Sequence, residues 1–371
     1  MKIQSVAYLL LLALCACNHV DKNTRTPETI ALYNNMKKLS TEGCMLGHQD
    51  DLAYGVYWDE LPDSSDFYNT CGEYPAIYGW EIAKLEHDSL YNIDGVSFEK
   101  MKQHIIDVYD KGGVNTISWH MDNLLTKDNA WDVSSKEVVK SILPGGQKHK
   151  EFKNMLDKFV NFNKQLVGAD GKQIPIIFRP YHELTGSWFW WGKDLCSPEE
   201  YIKLWIFTHN YLVKEKGIKN LLFSYSTAAD LKTKADFMER YPGDEYVDFV
   251  GFDNYQGANE GGGVIFKETT VNCINIISEI AAKRNKIFAF TEVGFGAIPD
   301  SVWFTQTLQP ILMNCHCSYA LFWRNANINK EKDHFFVPYP NHPSAVDFRK
   351  MVADEKIYTL KDIENRSIYA N

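Results

Sequence analysis

Long apolar runs are almost missing from this 371-residue chain. The one present, YLLLLALCAC behind Lys2, is too short to cross a bilayer and reads as a secretory leader, not a membrane span. Positive charge is in deficit. Lys and Arg number 39 against 48 Asp and Glu, a formal net charge of −9, and a chain with no basic surplus is a poor match for nucleic acid. No glycine-rich fingerprint follows the first strand-like run at 43–48, which weakens a doubly wound open sheet as the alternative fold. Cys315-His316-Cys317 has no second ligand pair at zinc spacing, so no metal is expected there. No linker or low-complexity stretch interrupts the chain after residue 25, so one domain is the economical reading.

The leader ends in Leu14-Cys15-Ala16-Cys17, which resembles a bacterial lipobox. Cleavage before Cys17 makes that residue the lipid-modified N-terminus. The expected organisation is a signal over residues 1–16, a tether over 17–25 and a catalytic domain over 26–371. The protein is then exported and held at a bacterial outer membrane through its lipid anchor alone. Six cysteines remain beyond Cys17, namely Cys44, Cys71, Cys196, Cys273, Cys315 and Cys317. Export permits disulfides, and the sequence leaves their pairing open.

What the chain does have is rings, with 10 Trp, 20 Tyr and 21 Phe, and an alternation of short apolar runs with amphipathic segments. Apolar runs at 43–48, 74–80, 114–119, 174–178, 221–225, 249–252, 287–290 and 319–323 read as strands. Helices are expected between them. Thr26-Pro27 and Ser197-Pro198-Glu199-Glu200 are helix starts, pairing a capping hydroxyl with proline in the first turn. Ser97 caps a segment with Phe98, Met101, Ile105 and Val108 on one face, and 150–167, 265–284 and 301–314 are helical in pattern. Eight buried strands alternating with helices are the count of a closed α/β barrel, the (β/α)8 or TIM architecture.

Such barrels build their sites at the C-terminal ends of the strands. The residues there are His48-Gln49-Asp50-Asp51, Trp80-Glu81, Trp119-His120-Met121-Asp122, Arg179-Pro180-Tyr181-His182-Glu183, Ser224-Tyr225-Ser226, Asp253-Asn254-Tyr255, Thr291-Glu292 and Trp323-Arg324-Asn325. Carboxylates, imidazoles, rings and a guanidinium thus converge on one mouth. Glu183 and Glu292 stand out. Paired carboxyls across a barrel mouth suit glycoside hydrolysis, one giving a proton to the departing oxygen and one attacking the sugar carbon. The rings around Glu183 in RPYHELTGSWFWWG lower the local polarity and favour its neutral acid form.

These segments resemble glycoside hydrolase family 26, and most closely its endo-β-1,4-mannanases. RPYHELTGSWFWWG is similar to the family's acid/base segment and FAFTEVGF to its nucleophile segment; GHQDDLAYG, VDFVGFDNY and ALFWRN also match. The resemblance spans about residue 46 to residue 325. It implies a retaining double displacement with Glu183 as acid/base and Glu292 as nucleophile. It further implies that His120, His182, Trp188, Tyr255, Trp323 and Arg324 bind substrate, with Arg179 and Asp248 in support. It implies β-mannan as partner, no cofactor and no metal; a monomer is expected. Mannobiose release, mixed-linkage β-glucan and β-1,3-xylan are alternatives on the same site. A lipid-anchored glycan-binding protein without turnover is a rival of another class. A metal-dependent hydrolase using His48, His120 and His182 is a second.

Overall fold

The computed structural model describes residues 25–257 and 263–370; the leader, Cys17 and the tether up to Thr24 lie outside them. Among the described residues eight strands form the barrel. They are β1 Cys44–Gln49, β2 Ile77–Glu81, β3 Val114–Trp119, β4 Ile176–Pro180, β5 Leu221–Ala228, β6 Phe249–Gln256, β7 Ile287–Phe295 and β8 Tyr319–Phe322. Each pairs in parallel with the next, and β1 also pairs in parallel with β8, which closes the sheet. The chain is therefore a single closed (β/α)8 barrel with helices between its strands.

The helix starts follow local chemistry. Thr26 accepts the amide of Thr29 ahead of helix Pro27–Leu39, and Ser197 and Glu200 cap helix Pro198–Asn210 reciprocally. Several segments depart from the sequence pattern. Tyr74–Ala76 stay outside β2, and Pro75 instead makes an isolated antiparallel bridge with Thr359. β6 and β7 continue past their apolar runs to Gln256 and Phe295. The segment 301–314 opens with a wide π turn at Phe304–Leu308 before helix Gln309–Met313. Pro310 has no N–H to give the carbonyl of Gln306, so regular pairing cannot run through that turn.

The barrel interior is apolar at its base. Met45, Ile77, Val114, Ile177, Leu222, Phe249, Ile287 and Tyr319, one from each strand, form a buried cluster with Leu32, Met36 and Leu39 of the first helix and with Leu360, Ile363 and Ile368 near the C-terminus. The first helix thus plugs the end at which the strands begin. Arg25 fastens its start, donating to both carboxylate oxygens of Asp248 at 2.8 and 2.7 Å. Asn35 at its far end donates to the carbonyls of Ile368 and Ala370. The six cysteines are all free thiols.

Burial alone raises the Asp248 carboxyl, but Arg25 and the Phe223 amide bring it below the ordinary carboxylate range. A depressed acid stabilises the fold above its unfolded pKa and loses that contribution as pH falls through the folded one. Arg25→Ala leaves a mostly buried carboxylate short of its counter-charge and is expected to cost about 2–3 kcal/mol, a fall of about 3–5 °C in Tm. Thermal melts at pH 7 and pH 3 check this. The wild-type advantage should be present at pH 7 and shrink at pH 3.

Candidate active site

The loop after β4 turns sharply. Tyr181 and Glu183 both hold left-handed backbone, with φ of 51° and 52°. For residues with a Cβ this costs on the order of 1–2 kcal/mol each, so the surroundings must hold it in place. They do. Tyr201 donates to the carbonyl of Tyr181 at 3.0 Å, Trp191 Nε1 to the carbonyl of His182 at 2.8 Å, and the Tyr181 hydroxyl pairs with Thr208 Oγ1 at 2.9 Å. The turn aims the His182 and Glu183 side chains into the mouth.

The four rings that follow divide cleanly. Trp190 is buried and donates to the carbonyl of Met121 at 2.8 Å; Trp191 is fully buried, and Phe189 stacks on it at 4.6 Å. These three are wall. Trp188 alone is open, 44% exposed, and its Nε1 donates to Glu183 Oε2 at 2.5 Å. Its ring lies across Gly186, where an added Cβ would come within 2.4 Å of the indole, so only glycine lets the ring take this place.

Glu292, in the second half of β7, is 4% exposed. Arg179 Nη2 donates to Oε1, and the Tyr255 hydroxyl donates to Oε2 at 2.5 Å. The other arm of Arg179 reaches Asp253 at 2.9 Å, and Thr291 donates to the far oxygen of Asp253 at 2.5 Å. Each of Glu183, Asp253 and Glu292 has a carboxylate oxygen within 4.8 Å of those of the other two. Burial first, and then the charge of Glu292, push Glu183 up to about 7; Trp188, Arg179 and His120 restrain the rise. The site therefore holds one carboxyl near neutrality at pH 7 beside another held by a cation and a phenol.

His120 and His182 meet at 3.1 Å between their Nε2 atoms. Burial and the neighbouring cations Arg179 and His120 take His182 well below the usual imidazole range. Burial lowers His120 too, but Glu81 outweighs it and raises that ring. Glu81 Oε1 accepts the amides of Ala83 and His120, both at 2.8 Å. Its Oε2 accepts Ser118 at 2.8 Å and His120 Nδ1 at 2.7 Å. A charge-prone His120 thus donates toward a neutral His182, an order set by a carboxylate with four donors around it.

Two residues of this site carried no separate signal in the sequence beyond position. Glu81 stood among the strand ends with nothing to mark it as the partner of His120. Trp131, in the loop after β3, belonged to no motif; it is 47% exposed and stacks on His120 at 5.0 Å with planes 14° apart. Trp323 lies edge-on to His120 at 6.1 Å. Arg324 borders the same region, tied to Asp94 at 2.9 Å and Glu331 at 2.8 Å. Asp248 is a correction. It precedes β6, at the opposite end of the barrel, and serves the Arg25 clamp; Asp253, five residues on, is the acid that supports the site. Cys17 lies outside the described residues.

Among the described residues two carboxylate-rich clusters have ligand-type spacing, Glu183/Asp253/Glu292 and Glu86/His87/Asp122. In each a side-chain cation already sits against a carboxylate, Arg179 in the first and Lys84, 2.7 Å from Asp122, in the second. His48 does not join His120 and His182; its ring pairs with Asp51 at 2.6 Å in the interior.

A family model described as Glycosyl hydrolase family 26 matches residues 20–338. A mannan endo-1,4-beta-mannosidase of Bifidobacterium adolescentis is 28% identical over 350 residues, covering 89% of this chain and 34% of that protein. One of Bacillus subtilis strain 168 is 30% identical over 255 residues, covering 65% and 64%. This chain thus spans about a third of the first relative's length and just under two thirds of the second's. Among solved structures, a GH26 beta-mannanase from Bacteroides ovatus superposes with a TM-score of 0.89 at 39% identity, covering 94% of this chain and 98% of that one. A GH26 protein from Muricauda sp. MAR_2010_75 superposes at 0.84 with 32% identity, covering 94% and 96%.

Proposed function

The chain belongs to glycosyl hydrolase family 26, and from that premise we propose that it cleaves internal β-1,4-mannosidic linkages in mannan, galactomannan or glucomannan with retention of configuration. The observation that carries the reading is that Glu183 and Glu292 face each other closely enough to bring one carboxylate oxygen of each within 4.8 Å. Retaining pairs stand roughly 5–5.5 Å apart, and inverting pairs need roughly 6.5–9.5 Å to admit a water between them. The short separation supports direct attack by Glu292.

In this mechanism Glu183 protonates the glycosidic oxygen as Glu292 attacks the anomeric carbon. The C–O bond to the leaving sugar breaks and a glycosyl ester to Glu292 forms. Glu183, now ionised, takes a proton from water as that water opens the ester. Arg179 and Tyr255 each donate to one oxygen of Glu292 and aim it. His120, His182, Trp188, Trp323 and Arg324 bind the sugars, and the exposed face of Trp131 adds a platform beside His120. No metal or organic cofactor enters any step.

Galactomannan, glucomannan, mixed-linkage β-glucan and β-1,3-xylan, with products sized over time and the anomer followed by NMR, test the proposal. Early long β-mannan fragments of retained configuration are expected. Activity on none of the four overturns it, and so does inversion. Chelator is expected to leave the rate unchanged; loss of activity would favour the metal reading. Release of disaccharide alone is the second reading. A stiff wall at the mouth favours it: the hairpin Tyr54–Gly55/Trp58–Asp59 is bonded to the loop after β8 through Asp59 to Asn327 and Lys330 and through Val56 to Ile328.

Trp188→Phe keeps a stacking ring and deletes one N–H. The hydrogen bond to Glu183 favours the carboxylate, so its loss raises the pKa of the acid. The acid works protonated. The alkaline limb of the kcat/KM–pH profile, near pH 7 in the wild type, should therefore move to higher pH while the acid limb stays. A profile displaced only in height would limit Trp188 to stacking.

Cys17 as a lipid-bearing N-terminus, and a monomeric protein held at the periplasmic or the cell-surface face of a bacterial outer membrane, complete the proposal; the lipobox-like Leu14–Cys17 supports the anchor. Incorporation of labelled fatty acid by the wild type, lost in Cys17→Ala, is the test of the anchor.

A further inference from the structure

We infer that the anchored protein is held base-down, with the first helix and the strand-start end of the barrel toward the lipid surface and the cleft directed away from it. The inference rests on the lipid-anchor reading and adds to it a fixed orientation.

The chain enters the domain at the pole opposite the cleft and is bound there at once. Arg25 clamps Asp248, and the amide of Thr26 donates to the carbonyl of Lys219 at 3.0 Å. Both partners sit just ahead of a strand, Lys219 before β5 and Asp248 before β6. Tyr33 then donates to the carbonyl of Asn285, ahead of β7, and Asn35 to Ile368 and Ala370, so the helix lies fixed across the base. Tyr255, at the site, follows Asp248 by seven positions along β6, a rise of roughly 23 Å at about 3.3 Å per residue.

Only residues 18–24 separate Cys17 from the clamped Arg25. Eight Cα steps reach at most about 28 Å. A compact domain of this size is on the order of 50 Å across. With the cleft toward the membrane, Arg25 would stand about a domain diameter from the lipid, beyond what the tether can span. Base-down is within reach, and a sidelong pose is at the limit. The consequence is that soluble polymer approaches the cleft from the side away from the bilayer.

Energy transfer tests this on the full lipidated chain in vesicles of phosphatidylethanolamine and phosphatidylglycerol carrying a headgroup-labelled acceptor. Donor dyes are placed through K38C, on an exposed position of the first helix, and L90C, exposed in the loop after β2. Transfer from position 38 is expected to exceed transfer from position 90 by about three-fold, because Lys38 lies on the helix at the base and Leu90 in a loop that leaves the cleft end of β2. Equal transfer, or more from position 90, overturns the orientation while leaving the anchor intact. Failure of the chain to bind vesicles overturns the anchor and the orientation together. Inserting about twenty Gly/Ser residues between Lys22 and Asn23 lengthens the reach to roughly 100 Å and should erase the contrast; a contrast that survives the insertion overturns the short-tether explanation.

Discussion

Replacing Glu292 by glutamine is expected to abolish turnover of mannan, lowering kcat/KM by on the order of 10⁴ or more, at least about 5 kcal/mol of transition-state stabilisation. The amide keeps the volume and a partner for Tyr255, so the protein should fold and melt close to the wild type. What is lost is the electron pair that closes on the anomeric carbon and the negative charge facing the oxocarbenium-like transition state. The substitution also removes the second cause of the raised Glu183 carboxyl, so Glu183 should titrate lower. Initial rates on galactomannan, with a melting curve as control, decide the matter. A variant keeping a tenth of the wild-type rate would remove Glu292 from the reaction. The same loss would also exclude the rival of a binding protein without turnover, provided the wild type releases sugar.

Glu183→Gln is expected to fall by about 10²–10⁴-fold on mannan, the range that general acid–base catalysis supplies. Its signature lies in the leaving group. An aryl mannoside whose phenolate departs without a proton should form the glycosyl ester at near the wild-type rate. Hydrolysis of that ester should then lag, because no base is left to activate water. A rapid burst of phenolate followed by a slow steady state is the expected trace. Equal damage to good and poor leaving groups, with no burst, would assign Glu183 to binding. The acid's position near pH 7 gives a second check: wild-type kcat/KM should decline as pH rises past about 7, as the proton that Glu183 must donate is lost.

The barrel itself was legible because its strands are buried on both faces, so each reads as a short, nearly continuous apolar run. The same rule misplaced the ends of β6 and β7. Their last residues, Asp253 to Gln256 and Thr291 to Phe295, include the polar groups of the site, and they stay paired, after a one-residue shift of register between Phe252 and Asp253, where ion pairs and hydrogen bonds replace the apolar contacts that mark a strand. Glu183, Glu292, His182 and Tyr255 were legible from order and motif, and they meet at the mouth. Asp248 and Asp253 flank one strand, and nothing in their sequence neighbourhood says which end each occupies until the register is known. The division of Trp188 from Phe189, Trp190 and Trp191 was equally hidden. It depends on Gly186 beneath one ring and carbonyls beside two others, one within the same loop and one 69 residues away at Met121.

The helix that plugs the base has a consequence for the order in which the protein can become stable. Its partners lie far along the chain: Asp248 is 223 residues from Arg25, Asn285 is 252 from Tyr33 and Ile368 is 333 from Asn35. An isolated helix of 13 residues is marginal in water. A ribosome working from the N-terminus therefore makes this segment first and its docking surface last. Until β6 and the segment leading into β7 exist, the first helix lacks the partners that Arg25 and Tyr33 bind. Closure of the barrel by β8 against β1, and seating of the plug beneath it, then fall at the end of folding, when the whole chain has emerged.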